Sequence, residues 1–209
     1  MPLHKIIHIN ENTTAYFWHI TEDVTSLFRA VSLRDTSLFR LEGMKSEEHQ
    51  KGFLAVRMLL QHLGYTDYDL TYDEARKPHL SDGKHISISH SHEFSCICIS
   101  NKLMGIDLEK LKEKTLKIAP RFMEVKHLEN LSVSEQMEKA TVVWGIKESI
   151  FKIKNEKGIS FPEHIFEYEF CFSDGKCSAE LHFNNTIEKF NIQFYKVEDY
   201  IFVCAFPNK

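Results

Sequence analysis

The chain has 209 residues, of which 43% are apolar and 27% are charged, and its formal net charge is −4. This length allows one large domain or two small ones with a buried core, and the acidic balance argues against a nucleic acid held by bulk electrostatics. Because no apolar run reaches membrane-spanning length and the N-terminus lacks the apolar core of a signal peptide, we expect a cytoplasmic protein without a membrane partner.

The cysteines also favour a cytoplasmic location. They form an odd set without the spacing of a disulfide framework: Cys96, Cys98, Cys171, Cys177 and Cys204. Cys96 and Cys98 would share one face of a strand, where buried thiols behave as small apolar side chains. We therefore predict that the cysteines are reduced.

The first half of the chain begins with short strands and continues with helices. Residues 1–20 alternate weakly and predict strands, whereas residues 24–40 have a helical pattern. Residues 47–63 predict an amphipathic helix, whose apolar positions recur at helical spacing: Phe53, Val56, Leu60 and Leu63. Arg57 lies beside this stripe, either as a side chain whose stem packs while its head reaches water or as a binding residue.

A strand with a polar end follows a loop that contains Lys77 and Pro78. Residues 86–91 alternate isoleucine with serine, which predicts a half-buried strand ending in Ser-His-Ser, and residues 96–100 predict the returning strand of a hairpin. Ser89 and His90 offer a hydroxyl and an imidazole that are able to bind phosphate oxygens. A histidine in this position is also commonly a hydrogen-bonded loop residue, so the pattern alone leaves both interpretations open.

Residues 105–110 predict a strand that carries two acids on one face. Side chains two apart in a strand point the same way, so Asp107 and Glu109 project together while Ile106 and Leu108 face the core. Either this is an edge strand that presents charge to solvent, or the two carboxylates bind a hard cation such as Mg²⁺.

A long helix is predicted from Ser132, where a capping box pairs Ser132 with Glu135, to about residue 154. Glu148 falls within an apolar stripe of this helix, and an ionised side chain facing inward is costly unless a cation or hydrogen bonds compensate it. Lys152 borders the same face. The alternative is an ordinary surface pair of Glu and Lys four residues apart.

The C-terminal part predicts antiparallel strands near residues 166–172, 179–183, 191–195 and 200–205. We find no catalytic constellation in this part of the chain. Strands and helices are thus mixed without a regular βαβ alternation, and the fold class that we predict is α+β.

Four blocks occur in order along the chain: Arg76-Lys77-Pro78, Ile86-Ser87-Ile88-Ser89-His90-Ser91, Gly105-Ile106-Asp107-Leu108-Glu109, and Trp144-Gly145-Ile146-Lys147-Glu148 with Lys152. Over residues 50–160 this series resembles the 4′-phosphopantetheinyl transferase superfamily, in the double-length class of the surfactin-synthetase-activating type. The resemblance implies two pseudo-symmetric halves, 1–103 and 104–209. Each would be a small, mostly antiparallel sheet packed on a long helix, and the metal acids would lie in the second half.

The same resemblance implies the roles of individual residues. Asp107, Glu109 and Glu148 would ligate Mg²⁺ on the pyrophosphate of coenzyme A. Ser89, His90 and Lys152 would hold phosphate oxygens, and His90, Lys152 and Glu148 would form the catalytic set. Lys77 and Pro78 would line the adenine, and Arg57, or else Arg34 or Arg40, would bind the 3′-phosphate.

Two positions depart from the family pattern. Arg76 stands where the family usually has Gly, and His127 falls where relatives usually carry a Glu that can act as a base. A histidine can also take a proton near neutral pH. The general base is therefore Glu148, His127, Glu129 or a metal-bound water.

The activity implied is transfer of 4′-phosphopantetheine from coenzyme A to a serine of an acyl or peptidyl carrier protein, with release of 3′,5′-ADP. We expect a monomer that binds a carrier protein and coenzyme A but no nucleic acid. The alternatives are a non-catalytic module of the same fold that binds coenzyme A or a carrier protein, and a metal-dependent nuclease that uses the same three acids.

Overall fold

The computed structural model of the protein describes residues 3–208. The chain divides into two compact units, Met1–Lys102 and Leu103–Lys209. Both contain antiparallel sheets and helices, so the predicted α+β class is confirmed. Among the helices of residues 3–208, none combines the length and hydropathy needed to cross a bilayer.

Within residues 3–102, the first unit contains two sheets and three α-helices. Its strands are β1 (Leu3–Asn10), β2 (Thr13–His19), β3 (Leu70–Tyr72), β4 (Pro78–Leu80), β5 (His85–Ser91) and β6 (Phe94–Ser100). Its helices are α1 (Val24–Ala30), α2 (Asp35–Glu42) and α3 (Glu47–His62). The larger sheet has the strand order β1-β2-β6-β5 and the smaller one pairs β3 with β4, all antiparallel.

Helix α3 is the long helix predicted for residues 47–63, and that prediction is confirmed. The side chain of Ser46 caps its N-terminus by accepting from the backbone N–H of His49, and α3 packs on β2, β5 and β6. The helical pattern predicted for residues 24–40 is instead divided into α1 and α2, because the backbone is extended at Val31 and again at Arg34.

Within residues 103–208, the second unit contains one sheet of five strands and a long helix. Its strands are β7 (Gly105–Lys110), β8 (Ile165–Glu167), β9 (Lys176–Phe183), β10 (Thr186–Val197) and β11 (Tyr200–Pro207). Its helices are α4 (Glu113–Ile118), α5 (Val133–Lys154) and α6 (Phe161–His164). The strand order is β7-β11-β10-β9-β8, with every pair antiparallel.

Three of the four C-terminal strand predictions are confirmed, and the first is wrong beyond Glu167. Residues 172–174 form a 3₁₀ turn because the carboxylate of Asp174 accepts from the backbone N–H of Cys171 at 3.0 Å. Gly175 then follows with a φ of 63°. Strand β8 therefore ends at Glu167, although the aromatic residues that follow it suggested a strand up to residue 172.

Helix α5 begins at the predicted capping box between Ser132 and Glu135, which is confirmed, and it ends at Asn155 in the left-handed conformation. Two glycines allow α5 to lie directly on the sheet. A Cβ at Gly105 of β7 would clash with the carbonyl oxygen of Ser149, and one at Gly145 would lie 2.5 Å from Cγ2 of Val203 in β11. This close approach places the second half of α5 against β7.

Candidate active site

The centre of the candidate site is an ion pair between β7 and α5. Asp107 is 3% exposed, and its Oδ1 accepts from Lys152 Nζ at 2.8 Å. The same ammonium donates to the carbonyl oxygen of Ile106 at 2.9 Å. Because the side chain of Lys152 is only half-buried, its charge faces both the buried carboxylate and the surface of the second unit.

Glu148 lies one helical turn before Lys152 and joins this pair. Burial raises the pKa of Glu148, and the negative charge of Asp107 raises it further, while Lys152 acts in the opposite direction. The two carboxylates are therefore close enough for their charges to interact. Asp107, Glu148 and Lys152, which the sequence predicted as site residues, are brought together within the second unit.

The donor set of this cluster fits a divalent cation. The carboxylates of Asp107 and Glu148 are close enough for their charges to interact, and Glu109 lies on the same face of β7 as Asp107. Carboxylate oxygens are the ligands that Mg²⁺ prefers. Within residues 3–208, however, no three His, Cys, Asp or Glu side chains form a ready metal-binding group, and ligation by Asp107, Glu109 and Glu148 stays a prediction.

Lys147 precedes Glu148 but belongs to the core of the second unit. It is 2% exposed, and its Nζ donates to the carbonyl oxygen of Ile165 and to Oε2 of Glu167 at 2.7 Å. Burial lowers the pKa of Lys147, and the carboxylate of Glu167 opposes that shift. Lys147 thus ties α5 to β8, whereas Lys152 faces β7.

Glu167 is the residue of this region that the sequence analysis missed. Its Oε1 lies 3.7 Å from Nδ1 of His127, so one buried carboxylate contacts both Lys147 and a residue proposed as the general base. The sequence does indicate that Lys147 has a partner, because Lys147 stands among the apolar residues of α5 and a buried lysine requires one. Nothing in the sequence identified Glu167 as that partner.

The strand predicted for residues 86–91 is confirmed as β5, and its Ser-His-Ser end is part of the strand. Ser89 pairs with Cys96 and His90 pairs with Ser95, and the chain turns only at His92, which has a φ of 49°. Successive strand side chains point to opposite faces, so the hydroxyl of Ser89 is buried on one face while the exposed His90 lies against α3 on the other. Their shared role in binding phosphate oxygens stays a prediction.

Arg57 lies in the core of the first unit, not with its head in water. It is 3% exposed, its Nε lies 3.0 Å from Oδ1 of Asp67, and its guanidinium carbon lies 3.5 Å from the ring centroid of Phe53. Asp67 was not singled out from the sequence. The ion pair with Asp67 accounts for the buried position of Arg57. Its contact with the 3′-phosphate stays a prediction.

The two other arginines considered for that phosphate lie in different surroundings. Arg34 is half-buried and donates from Nη2 to the carbonyl oxygen of Leu70 at 2.8 Å. Arg40 is exposed, and its guanidinium carbon lies 5.0 Å from the ring centroid of Tyr72. Of the three arginines, Arg40 therefore has the side chain most accessible to a ligand.

The loop before Pro78 is closed by local hydrogen bonds. The backbone N–H of Lys77 donates to Oδ1 of Asp73 at 2.8 Å, and the N–H of Arg76 donates to the carbonyl oxygen of Asp73 at 2.9 Å. Arg76 has a φ of 63°, a conformation that glycine adopts without strain. Arg76 therefore adopts a left-handed turn conformation at a cost in backbone strain.

Comparison with curated proteins identifies relatives that match about half of the chain. The 4′-phosphopantetheinyl transferase Sfp of Bacillus subtilis (strain 168) is 32% identical over 124 residues, which are 57% of this chain and 54% of that protein. The 4′-phosphopantetheinyl transferase gsp of Aneurinibacillus migulanus is 33% identical over 121 residues, or 55% of this chain and 51% of that protein. The chain spans about half the length of the curated relatives it matches. No protein-family model matches the chain.

Proposed function

We propose that this chain, a relative of the 4′-phosphopantetheinyl transferases of the Sfp type, transfers 4′-phosphopantetheine from coenzyme A to a carrier protein. A serine oxygen of an acyl or peptidyl carrier protein forms a bond to the phosphorus that bears pantetheine. The bond from that phosphorus to the bridging oxygen breaks, and 3′,5′-ADP leaves with the electron pair. The serine proton passes to a base.

The observation that carries this proposal is the convergence of Asp107, Glu148 and Lys152. Phosphoryl transfer depends on placing the reactants in line and on neutralising charge more than on covalent help from the protein. A half-buried ammonium beside two carboxylates provides charges of both signs at one position. Such a site suits an anionic diphosphate that arrives together with a cation.

Asp107, Glu109 and Glu148 are the residues that would hold Mg²⁺, which when bound neutralises the oxygens of the diphosphate. The ammonium of Lys152 stabilises charge that develops on the leaving group, a contribution of about 3 kcal/mol for one well-placed donor. Burial favours proton uptake by Glu148, so its carboxylate is one candidate for the base. His127, whose Nδ1 faces Glu167, and the exposed Glu129 are the other candidates among the side chains.

The remaining predicted residues are proposed to bind other parts of coenzyme A. His90 and Ser89 are assigned to phosphate oxygens, and Lys77 with Pro78 to the adenine. Arg57, Arg34 and Arg40 remain the candidates for binding the 3′-phosphate. The exposed side chain of Arg40 makes it the favoured one. We also propose that the two units are pseudo-symmetric halves of the superfamily fold and that the protein is a cytoplasmic monomer.

The partner is proposed to dock on the surface around α4. Four cationic side chains there are exposed: Lys112, Lys114, Lys117 and Arg121. Val125, in the 3₁₀ turn that follows, is 49% exposed and adds an apolar element. Carrier proteins are acidic, so a basic surface beside an apolar side chain would favour their approach.

The experiment that tests the proposed function is the intact mass of an apo carrier protein after incubation with this protein, coenzyme A and MgCl₂. We expect the carrier to gain one 4′-phosphopantetheine group and 3′,5′-ADP to appear in equal amount. Binding of coenzyme A without any mass gain would favour the alternative, a non-catalytic module of the same fold. Absence of both binding and transfer would reject the proposal.

A further inference from the structure

Gly52 occupies a position in α3 where glycine is unfavourable for the helix itself. It is buried within α3, well inside the limits of the helix. A glycine in a helix interior gives up more conformational freedom on folding than alanine does. The local structure therefore does not explain this residue, and the reason must lie in what packs against it.

The ring of His90 fills the space that a side chain at residue 52 would need. A Cβ built on Gly52 would lie 3.0 Å from Cγ of His90, 3.1 Å from its Nδ1 and 3.4 Å from its Cβ. The two shorter separations, to Cγ and Nδ1, are tighter than ordinary van der Waals contacts of a Cβ atom. Any side chain at residue 52 would push the imidazole by a few tenths of an ångström or push α3 away from β5.

A hydrogen bond holds α3 against the hairpin that carries His90, so the helix cannot easily retreat. Ser95, which is fully buried, donates from Oγ to the carbonyl oxygen of Gly52 at 3.2 Å. Ser95 is the register partner of His90 across β5 and β6. The backbone of Gly52 and the strand position of His90 are thereby fixed to each other through one serine.

We infer that Gly52 is a positioning residue for His90: the missing side chain lets the imidazole seat directly on α3, and Ser95 holds the two elements at that separation. The inference rests on the proposed function, which assigns His90 to the phosphate oxygens of coenzyme A. It adds that the orientation of His90 depends on a helix position that does not itself touch the substrate.

The test is a double-mutant cycle of Gly52→Ala and His90→Ala, measured both as transfer to a carrier protein and as thermal unfolding of the full chain. In the native background we expect Gly52→Ala to reduce kcat/KM for coenzyme A about tenfold, because small misplacements of a positioned group are costly. With His90→Ala already present, the same substitution should leave the residual rate unchanged. Gly43→Ala is the matched control, since a Cβ at that helix end meets nothing closer than 3.6 Å.

The unfolding arm of the cycle does not depend on the proposed function. Alanine is the better helix former, so Gly52→Ala should raise the Tm by about 3 °C in the His90→Ala background and by less, or not at all, in the native one. Equal gains in Tm in both backgrounds would overturn the inference. An unchanged kcat/KM for Gly52→Ala in the native background would also overturn it. A native protein that shows no transfer would defeat the proposed function instead, and the unfolding cycle would still decide whether Gly52 and His90 are coupled.

Discussion

Lys152 Nζ lies 2.8 Å from Asp107 Oδ1 although 45 residues separate them in the sequence. The contact depends on the close approach of α5 to β7, which Gly105 and Gly145 make possible. Glu148 lies one turn before Lys152 on α5, so the carboxylates of Asp107 and Glu148 are close enough for their charges to repel each other. Two neighbouring carboxylates lower the stability of the fold when no ligand is bound. Such pairs are typical of binding and catalytic sites.

Glu148→Gln should stabilise the metal-free protein at neutral pH. The folded-state pKa of Glu148 is raised, so the protonated form favours folding, and that contribution is lost as the pH rises through the raised pKa. Above that pKa the ionised carboxylate destabilises the fold, and the neutral amide removes the effect. We expect the free energy of unfolding to increase by more than the about 0.5 kcal/mol typical of surface substitutions, measured by urea unfolding in a chelator.

The matched control for this substitution is Glu163→Gln, at an exposed acid elsewhere in the second unit. It should change the free energy of unfolding by no more than about 0.5 kcal/mol. A Glu148→Gln protein less stable than the native one would contradict the described environment of this carboxylate.

Lys147→Met should destabilise the second unit strongly. It leaves the carboxylate of Glu167, whose side chain is 7% exposed, without its main cationic partner, and an uncompensated buried charge costs about 3 kcal/mol or more. Lys154→Met on the same helix breaks a more exposed pair with Glu188 and should cost about 1 kcal/mol at most. Thermal or urea unfolding of both variants measures this contrast. Similar losses of stability in the two variants would contradict the explanation.

Arg76→Gly should stabilise the first unit. A non-glycine residue in the left-handed region, such as Arg76 with its φ of 63°, costs about 1–2 kcal/mol, which glycine avoids while losing some entropy. The expected net gain in the free energy of unfolding is about 1 kcal/mol. Arg76→Ala separates backbone strain from side-chain effects: it keeps the strain and should give no gain, so a gain from alanine would refute the explanation.

Asp69→Ala should make the stability of the first unit less sensitive to acid. Hydrogen bonds from Ser81 and Thr66 lower the pKa of Asp69 from 3.8 to about 2. A carboxyl group whose pKa is depressed on folding stabilises the protein above its unfolded pKa, and the contribution is lost as the pH falls through about 2. The Tm difference between native and variant proteins should therefore be largest above pH 4 and should shrink towards pH 2. A difference that stays constant over that range would assign the effect to something other than ionisation.

The sequence predicted those features of the fold that depend on local patterns. Helix α3 follows from its apolar spacing, and α5 follows from its apolar spacing and the capping residue Ser132. The sequence also predicted that Glu148 faces inward, because this glutamate stands between aromatic residues on its helix. These predictions required only the 3.6-residue and two-residue periods of helices and strands.

Partners distant in the sequence could not be predicted in this way. Asp67 for Arg57 and Glu167 for Lys147 are set by tertiary packing, which no local period encodes. The strand through Ser91 was predicted, but the contact of His90 with α3 depends on tertiary packing. The position of Gly52 opposite His90 likewise became visible only through the contact between α3 and β5.

The most direct test of the central claim is the initial rate of holo-carrier formation, at saturating coenzyme A and MgCl₂, for the native protein and for Asp107→Ala, Glu148→Ala and Glu163→Ala. The account predicts that the first two substitutions reduce the rate by at least about 10²-fold in proteins that remain folded, while Glu163→Ala transfers at the native rate. Full transfer by folded Asp107→Ala or Glu148→Ala would contradict the claim that these two acids form the active site.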